Sequence, residues 1–313
     1  MKLVISESLG IEKELVLEIA KTKLKDVEID YYEELWSDNQ ELIKRCQDAD
    51  LLLIANHRLD KEVIEACPKL KMISVAFTGV DHVDLATTRD ANITVCNCAG
   101  YSTVAVADLV FGLVINLYRR IRECDQVIRE AGTKNGLIGY ELEGKTFGVI
   151  GTGAIGLRVA NIANAFGCKV LAYSRTVKDV PGVEYTDLDT LLKESDIISI
   201  HTPLNEHTKH LISKEKIALM KKNAILINTA RGAIVDYEAL ADALNNDRIA
   251  GAGLDVYEYE PPLQKDHMIL HAKNVLATPH IGFASKEALI KRAHIAFENV
   301  AKYLEGHPQN LIK

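Results

Sequence analysis

The chain has 313 residues, enough for two domains of about 150 residues each, and its 48% hydrophobic and 26% charged composition with 7 Pro excludes disordered, collagen-like and coiled-coil classes. Acidic residues outnumber basic ones by 44 to 37, and the resulting net charge of −7 repels phosphate backbones and anionic lipid, so nucleic acid is not an expected partner. Six cysteines are too sparse for a disulfide scaffold, and the close pair Cys96 and Cys98 lacks the second pair that a zinc site needs, so no metal is expected.

Short β-branched or leucine-rich runs alternate with stretches of helical spacing, the α/β pattern of a parallel sheet covered by helices. Strands are predicted over 2–6, 28–31, 51–55, 72–76 and 93–95, forming one open sheet. The start of the chain lacks the basic residues and apolar run of a secretory signal, with Glu7 and Gly10 in the way, which predicts a cytoplasmic protein. A long, mostly helical segment follows over 103–130. Its most apolar part, 104–118, is interrupted by Asp108, Gly112 and Asn116 and falls short of the ~20 residues of a membrane span, so no membrane partner is expected.

After a turn-rich stretch with Gly132, Gly136, Gly139 and Gly144, a second set of strands is predicted over 146–150, 169–173, 196–201, 224–228, 250–254 and 275–278. Beyond Pro279 one helix is predicted over 286–304, with Ile290, Ala293, Ile295, Ala296 and Val300 as its apolar face. A single helix is too little for a domain. The expected architecture is therefore two Rossmann-like domains: a flavodoxin-like, discontinuous one from 1–99 plus 283–313, and an inserted doubly wound nucleotide-binding domain over 100–282, with the two crossings as a hinge.

Gly151-Thr152-Gly153-Ala154-Ile155-Gly156 directly follows the apolar run 147–150 and precedes an amphipathic stretch over 157–166 closed by Gly167. In that strand–turn–helix context GxGxxG predicts a dinucleotide site: the first glycine for the turn, the second for approach of a pyrophosphate, the third for helix–strand packing. A plain βα turn is the alternative for the motif taken alone. Three clusters lie downstream, each after a predicted strand: Asn228-Thr229-Ala230-Arg231-Gly232, a segment over 254–261 holding Asp255 and Glu260, and Thr278-Pro279-His280-Ile281-Gly282. Singly, Arg231 reads as a surface ion pair, Glu260 as a solvated charge and His280 as a loop histidine. Their joint placement at strand ends is what points to one crevice.

With these segments, together with 74–84, Gly100-Tyr101-Ser102-Thr103, and His201-Thr202-Pro203-Leu204, the chain resembles the D-2-hydroxyacid dehydrogenase family over essentially its whole length, with a glyoxylate or hydroxypyruvate reductase character. The resemblance implies a catalytic Arg231, Glu260 and His280, a small 2-oxo or 2-hydroxy acid substrate, a D product, and a homodimer joined through the nucleotide-binding domains. It also implies cofactor contacts at the glycine loop, Thr202, Pro203, Thr229, Ala230, Asp255 and Gly282, with Asp255 meeting the nicotinamide carboxamide.

The chemistry of the side chains gives matching roles. A guanidinium suits a carboxylate, which makes Arg231 the anchor, and an imidazolium suits a carbonyl oxygen gaining negative charge during hydride transfer, which makes His280 the acid. Glu260 would keep that imidazole charged. Backbone N–H groups of Ala76, Phe77, Thr78 and Gly79 are expected on the substrate carboxylate, and Phe77, Tyr101, Tyr257 and Phe283 near its side chain. Phe283 replaces the small residue usual in the family after His-Ile-Gly.

About 20 residues past the glycine loop, where an NAD site carries Asp or Glu for the ribose 2′-hydroxyl, the strand runs Tyr173-Ser174-Arg175-Thr176. A 2′-phosphate meets no carboxylate there, and Arg175, Ser174 and Thr176 can hold it, with Lys178 adding charge. NADP is therefore the expected cofactor, with NAD still possible. Two other readings remain open on sequence: an NADH-responsive co-repressor, and a phosphoglycerate dehydrogenase. The complete Arg–Glu–His set argues against the first, and the absence of Lys or Arg in 74–84 against the second.

Overall fold

The computed structural model describes residues 1–259 and 262–312. The chain divides into two compact units, Met1–Ser102 with Ala284–Lys313, and Thr103–Phe283.

The first unit holds a five-stranded parallel sheet of β1 (Lys2–Ile5), β2 (Glu28–Tyr31), β3 (Leu51–Ile54), β4 (Met72–Val75) and β5 (Thr94–Cys96), in the order β2-β1-β3-β4-β5. β3 and β4 read LLLI and MISV and are buried throughout, as expected of parallel strands covered on both faces. The outermost β2 reads EIDY and has no fully buried residue. The helix Lys286–Leu304 packs on this sheet, and the Ser74 hydroxyl donates to the Ala296 carbonyl at 2.9 Å. Its buried face is Ala293, Ala296, Phe297 and Val300, whereas Ile290, read as core from sequence, is 37% exposed. Phe297 takes its place because the stripe is set by which side meets β4.

The second unit holds a seven-stranded parallel sheet of β6 (Thr146–Ile150), β7 (Lys169–Tyr173), β8 (Val183–Tyr185), β9 (Ile197–Ile200), β10 (Ile225–Asn228), β11 (Gly251–Leu254) and β12 (Val275–Ala277), in the order β12-β11-β10-β9-β6-β7-β8. β8 has no counterpart in the sequence reading: it is a three-residue edge strand, Val-Glu-Tyr, with no apolar run to signal it. The helical segment expected over 103–130 is two helices, Thr103–Arg119 and Ile121–Arg129, separated by Arg120 at φ +52°. The first buries Ala107, Val110, Phe111 and Val114 against Phe147, Val149 and Val159 of the sheet and its covering helix. The second buries nothing.

Among the described residues no helix is long and apolar enough to cross a membrane, and no group of three or more His, Cys, Asp or Glu side chains is placed to hold a metal ion. All six cysteines are free thiols, five of them buried.

Candidate active site

In the second unit the chemistry-bearing loops leave one edge of one sheet. β12, β11 and β10 are neighbours and parallel, so the loops starting at Pro279, Asp255 and Thr229 emerge on the same side as Gly151 after β6. The order reverses around β6, which lies between β9 and β7, and a crevice outside such a reversal is where open α/β sheets bind ligands.

The glycine loop is built as its spacing requires. Gly151 sits at φ +96°, and a β-carbon there would lie 2.8 Å from the backbone of His201 and Thr202. A β-carbon on Gly156 would lie 1.9 Å from the Gly151 carbonyl oxygen. The helix Ala154–Ala165 begins inside the motif, earlier than its apolar pattern suggests, and its N-cap Gly153 supplies no capping side chain. Its first-turn amides thus face outward with the positive end of the helix dipole behind them. Nothing lies within 4 Å of a β-carbon built on Gly153, and the buried Thr152 and Thr229 hydroxyls have no hydrogen-bond partner among the described residues. An open cradle, uncapped amides and two orphaned hydroxyls fit a dinucleotide.

Ser174 is half-buried just past β7, and Arg175 and Thr176 are exposed beside it. The Lys178 ammonium donates to the Thr152 carbonyl at 2.8 Å, so this segment folds back onto the glycine loop. That bridge was not legible in the sequence, because 26 residues separate its ends. Thr202 is half-buried and Pro203 exposed, on the segment leaving β9. His201 beside them exchanges a hydrogen bond with Ser199 at 2.8 Å, and burial pushes its imidazole down to about 3, so it is neutral.

The Arg231 loop is folded by Asn228, a fully buried residue for which sequence reasoning gave no role. Its side chain accepts from the Ala230 N–H at 3.1 Å and donates to the Arg231 carbonyl at 2.9 Å. Arg231 Nη1 donates to the Ala230 carbonyl at 2.8 Å. Glu260, the third expected catalytic residue, lies outside the described residues.

Asp255 organises the turn that carries His280. It is fully buried, and its carboxylate accepts from the Thr278 hydroxyl at 2.6 Å and from the Ile281 and Gly282 amides at 2.8 and 2.7 Å. Burial raises its carboxyl above the usual range, opposed by those three donors and by His280. The His280 N–H donates to the Asp255 carbonyl at 2.8 Å. Tyr257, expected near the substrate, is buried with its hydroxyl donating to the carbonyls of Leu254 and Thr278 at 3.3 and 3.0 Å, so it ties β11 to the His280 loop.

In the first unit the segment after β4 holds Ala76, Phe77, Thr78 and Gly79. The Ala76 N–H, expected as a carboxylate donor, is already given to the Ile54 carbonyl at 2.6 Å and continues the β3–β4 ladder. Thr78 is exposed and Gly79 half-buried, whereas Phe77 and Tyr101 are buried with ring centroids 6.1 Å apart. Arg292 lies 5.8 Å from the Tyr101 ring, and burial pushes the Tyr101 phenol up to about 12.

Residues 111–282 match the family model described as "D-isomer specific 2-hydroxyacid dehydrogenase, NAD binding domain". The chain is 40% identical over 314 residues to the glyoxylate reductase of Thermococcus litoralis, covering 94% of each chain. It is 43% identical over 256 residues to the hydroxypyruvate reductase of Thermotoga maritima, covering 80% of this chain and 83% of that one. Among solved structures it resembles an acyclic imino acid reductase (Bsp5) in complex with NADPH and D-Arg, at 34% identity, a TM-score of 0.90 and full coverage of both chains. With two parallel-sheet α/β units, a dinucleotide cradle at the sheet edge, and this extent of likeness, the chain belongs to the D-isomer specific 2-hydroxyacid dehydrogenase family of oxidoreductases.

Proposed function

We propose that this chain reduces a small 2-oxo acid of the glyoxylate or hydroxypyruvate type to the D-2-hydroxy acid, with NADPH as the preferred cofactor. The observation that carries the reading is the shared edge in the second unit: the glycine loop, Arg231, Asp255 and His280 all leave the carboxyl side of one sheet. Relatives that bear both reductase names support the substrate class.

In this reading the unit over 103–283 binds the cofactor. The Gly153, Ala154, Ile155 and Gly156 backbone, with the Thr152 and Thr229 hydroxyls, would hold the dinucleotide, which when bound supplies the hydride. Arg231 orients the substrate carboxylate through paired N–H donors. The His280 imidazolium gives its proton to the carbonyl oxygen as charge develops there, and takes it back in the reverse direction. The resemblance in sequence assigns Glu260 to His280.

Ser174 and Arg175 support NADPH. A carboxylate at 174 would repel a 2′-phosphate by about 4 kcal/mol at ~4 Å and an effective dielectric of 20, before screening. The Bsp5 structure contains NADPH. A homodimer is supported by the Ile121–Arg129 helix, whose Ile121 and Ile128 are 47% and 67% exposed, and by Ile138 and Tyr140 nearby in sequence, which are 86% and 60% exposed. Six free thiols fit the reducing cytoplasm.

The test is an absorbance assay of NADPH and NADH oxidation by the purified chain against glyoxylate, hydroxypyruvate and longer 2-oxo acids, with chiral chromatography of the product. Turnover with NADPH to the D enantiomer is expected. No turnover of any 2-oxo acid, or an L product, overturns the reading.

A further inference from the structure

Tyr237 opens the helix Tyr237–Asn245 and is buried in the core of the second unit. The base of that helix is fixed: Asp236 caps it by accepting the Ala239 N–H at 3.0 Å, and the Asp236 N–H donates to the Ile212 carbonyl at 3.0 Å. A buried ring with only two side-chain torsions, starting from so fixed a backbone, carries its hydroxyl to a definite point. There the hydroxyl donates to the Val256 carbonyl, in the segment after β11. Burial raises the phenol far above its ordinary range, and a hydrogen bond with the Asn228 side chain opposes that rise. Asn228 is the residue that folds the Arg231 loop, so one hydroxyl meets both the loop after β10 and the loop after β11.

The contacts continue from there to the His280 turn. Gly232, next to Arg231, is pressed against the residue after Val256: a β-carbon on it would lie 1.8 Å from the Tyr257 carbonyl oxygen. The Tyr257 ring lies 6.2 Å from the Tyr237 ring with the planes at 51°, and its hydroxyl reaches the Thr278 carbonyl at 3.0 Å. Asn228, Tyr237, Val256 and Tyr257 are all buried, and every residue of this run belongs to the unit over 103–283. Two tyrosine hydroxyls thus bracket the β11 loop, one toward Arg231 and one toward His280.

We propose that Tyr237 is a positioning residue whose hydroxyl sets the spacing between the Arg231 loop and the His280 turn, so that one substrate meets anchor and acid together. The inference rests on the proposed roles of Arg231 and His280. In a 2-oxo acid one carbon–carbon bond separates the carboxylate from the carbonyl, so anchor and acid must stand at one separation, and a displacement of about 1 Å can cost about 10²-fold in rate. Removing the hydroxyl takes a donor from the buried Val256 carbonyl and a partner from Asn228, and buried polar groups that lose a partner move to regain one. The two loops then shift relative to each other. Arg231 still binds a carboxylate, but the carbonyl no longer meets the acid, so turnover falls further than binding.

The test uses Tyr237→Phe, which keeps the ring and removes only the hydroxyl, and Tyr257→Phe, which interrupts the same run at Thr278. Each is followed by steady-state kinetics, by NADPH titration, and by the backbone amide resonances of Ala230 and Ile281 in the nitrogen-15-labelled protein without cofactor. Both variants are expected to lower kcat about tenfold, with KM for the 2-oxo acid within about threefold of wild type and NADPH binding unchanged. The Ala230 and Ile281 amides, one in each loop, are expected to shift together in Tyr237→Phe. Wild-type kcat in either variant would overturn the proposal, as would a loss of kcat with both amides unmoved. If Tyr237→Phe does not fold, Tyr257→Phe decides by the same criteria. If the wild-type protein reduces no 2-oxo acid, the functional reading fails by itself, and the amide shifts still decide whether the hydroxyl sets the two loops.

Discussion

Asp255 accepts the backbone N–H of Gly282 at 2.7 Å, and a β-carbon on Gly282 would lie 2.9 Å from the same carboxylate oxygen. A fully buried carboxylate is costly unless donors surround it, and here three do. Asp255→Asn puts an NH2 group against an N–H or hydroxyl donor, and Gly282→Ala pushes the turn off the carboxylate. Each is expected to cost about 1–3 kcal/mol of stability and to lower kcat by displacing His280. Denaturation and kinetics measured together check this; unchanged values for both variants would refute the clamp.

Arg231 and His280 are expected to fail differently when replaced. Arg231→Ala should raise KM as well as lower kcat, because the anchor acts in both ground and transition states, with a total loss of about 10²-fold or more. For His280 the informative substitution is Asn, which tolerates a left-handed backbone and so removes the proton donor without disturbing the turn. His280→Asn should lower kcat about 10²-fold with little change in KM. Wild-type rates in either variant would sink the mechanism.

Cofactor selectivity separates Arg175 from Lys178. Arg175→Ala should weaken NADPH binding about tenfold and leave NADH unaffected, since only the 2′-phosphate distinguishes the two. Lys178→Ala removes the bridge to the Thr152 carbonyl and should weaken both cofactors alike, by about 1 kcal/mol or roughly fivefold. Ser174→Asp should reverse the preference toward NADH. Titration calorimetry with each cofactor checks all three, and a wild-type preference for NADH would remove the 2′-phosphate site.

The exposed Ile121–Arg129 helix yields a prediction about assembly. Ile128→Asp combined with Ile138→Asp is expected to halve the mass seen by sedimentation equilibrium, because charge on a covered apolar face is desolvated without a partner. A wild-type monomer, or a double variant that remains dimeric, would place the interface elsewhere or abolish it.

His201 gives a pH dependence with a definite sign. Its folded-state value lies near 3 against an ordinary 6.5, so between these the unfolded chain binds a proton that the folded chain does not. Stability attributable to neutral His201 is therefore full above about 6.5 and falls as pH drops toward 3. The Tm of wild type should decline over that window more steeply than the Tm of His201→Asn. Parallel curves would show that His201 is not buried as a neutral ring.

The sequence by itself determined the class and most of the parts. Uninterrupted apolar runs such as LLLI at 51–54 and IISI at 197–200 are local signals of covered parallel strands, and GxGxxG between a strand and a helix states its own geometry. The candidate Arg231 and His280 were readable because loops after parallel strands share one edge, a rule that needs only the strand pattern. What depended on distance in space had to wait for the tertiary structure. Ile290 was turned outward and Phe297 inward by the docking of the last helix on β4, although both satisfy a helical period. The Ala76 amide was consumed by Ile54, Asn228 was recruited to fold the Arg231 loop, and Lys178 was laid across Thr152. The Asp255 carboxylate was set on the backbone of the His280 turn, because a buried charge goes to whichever donors packing brings within reach.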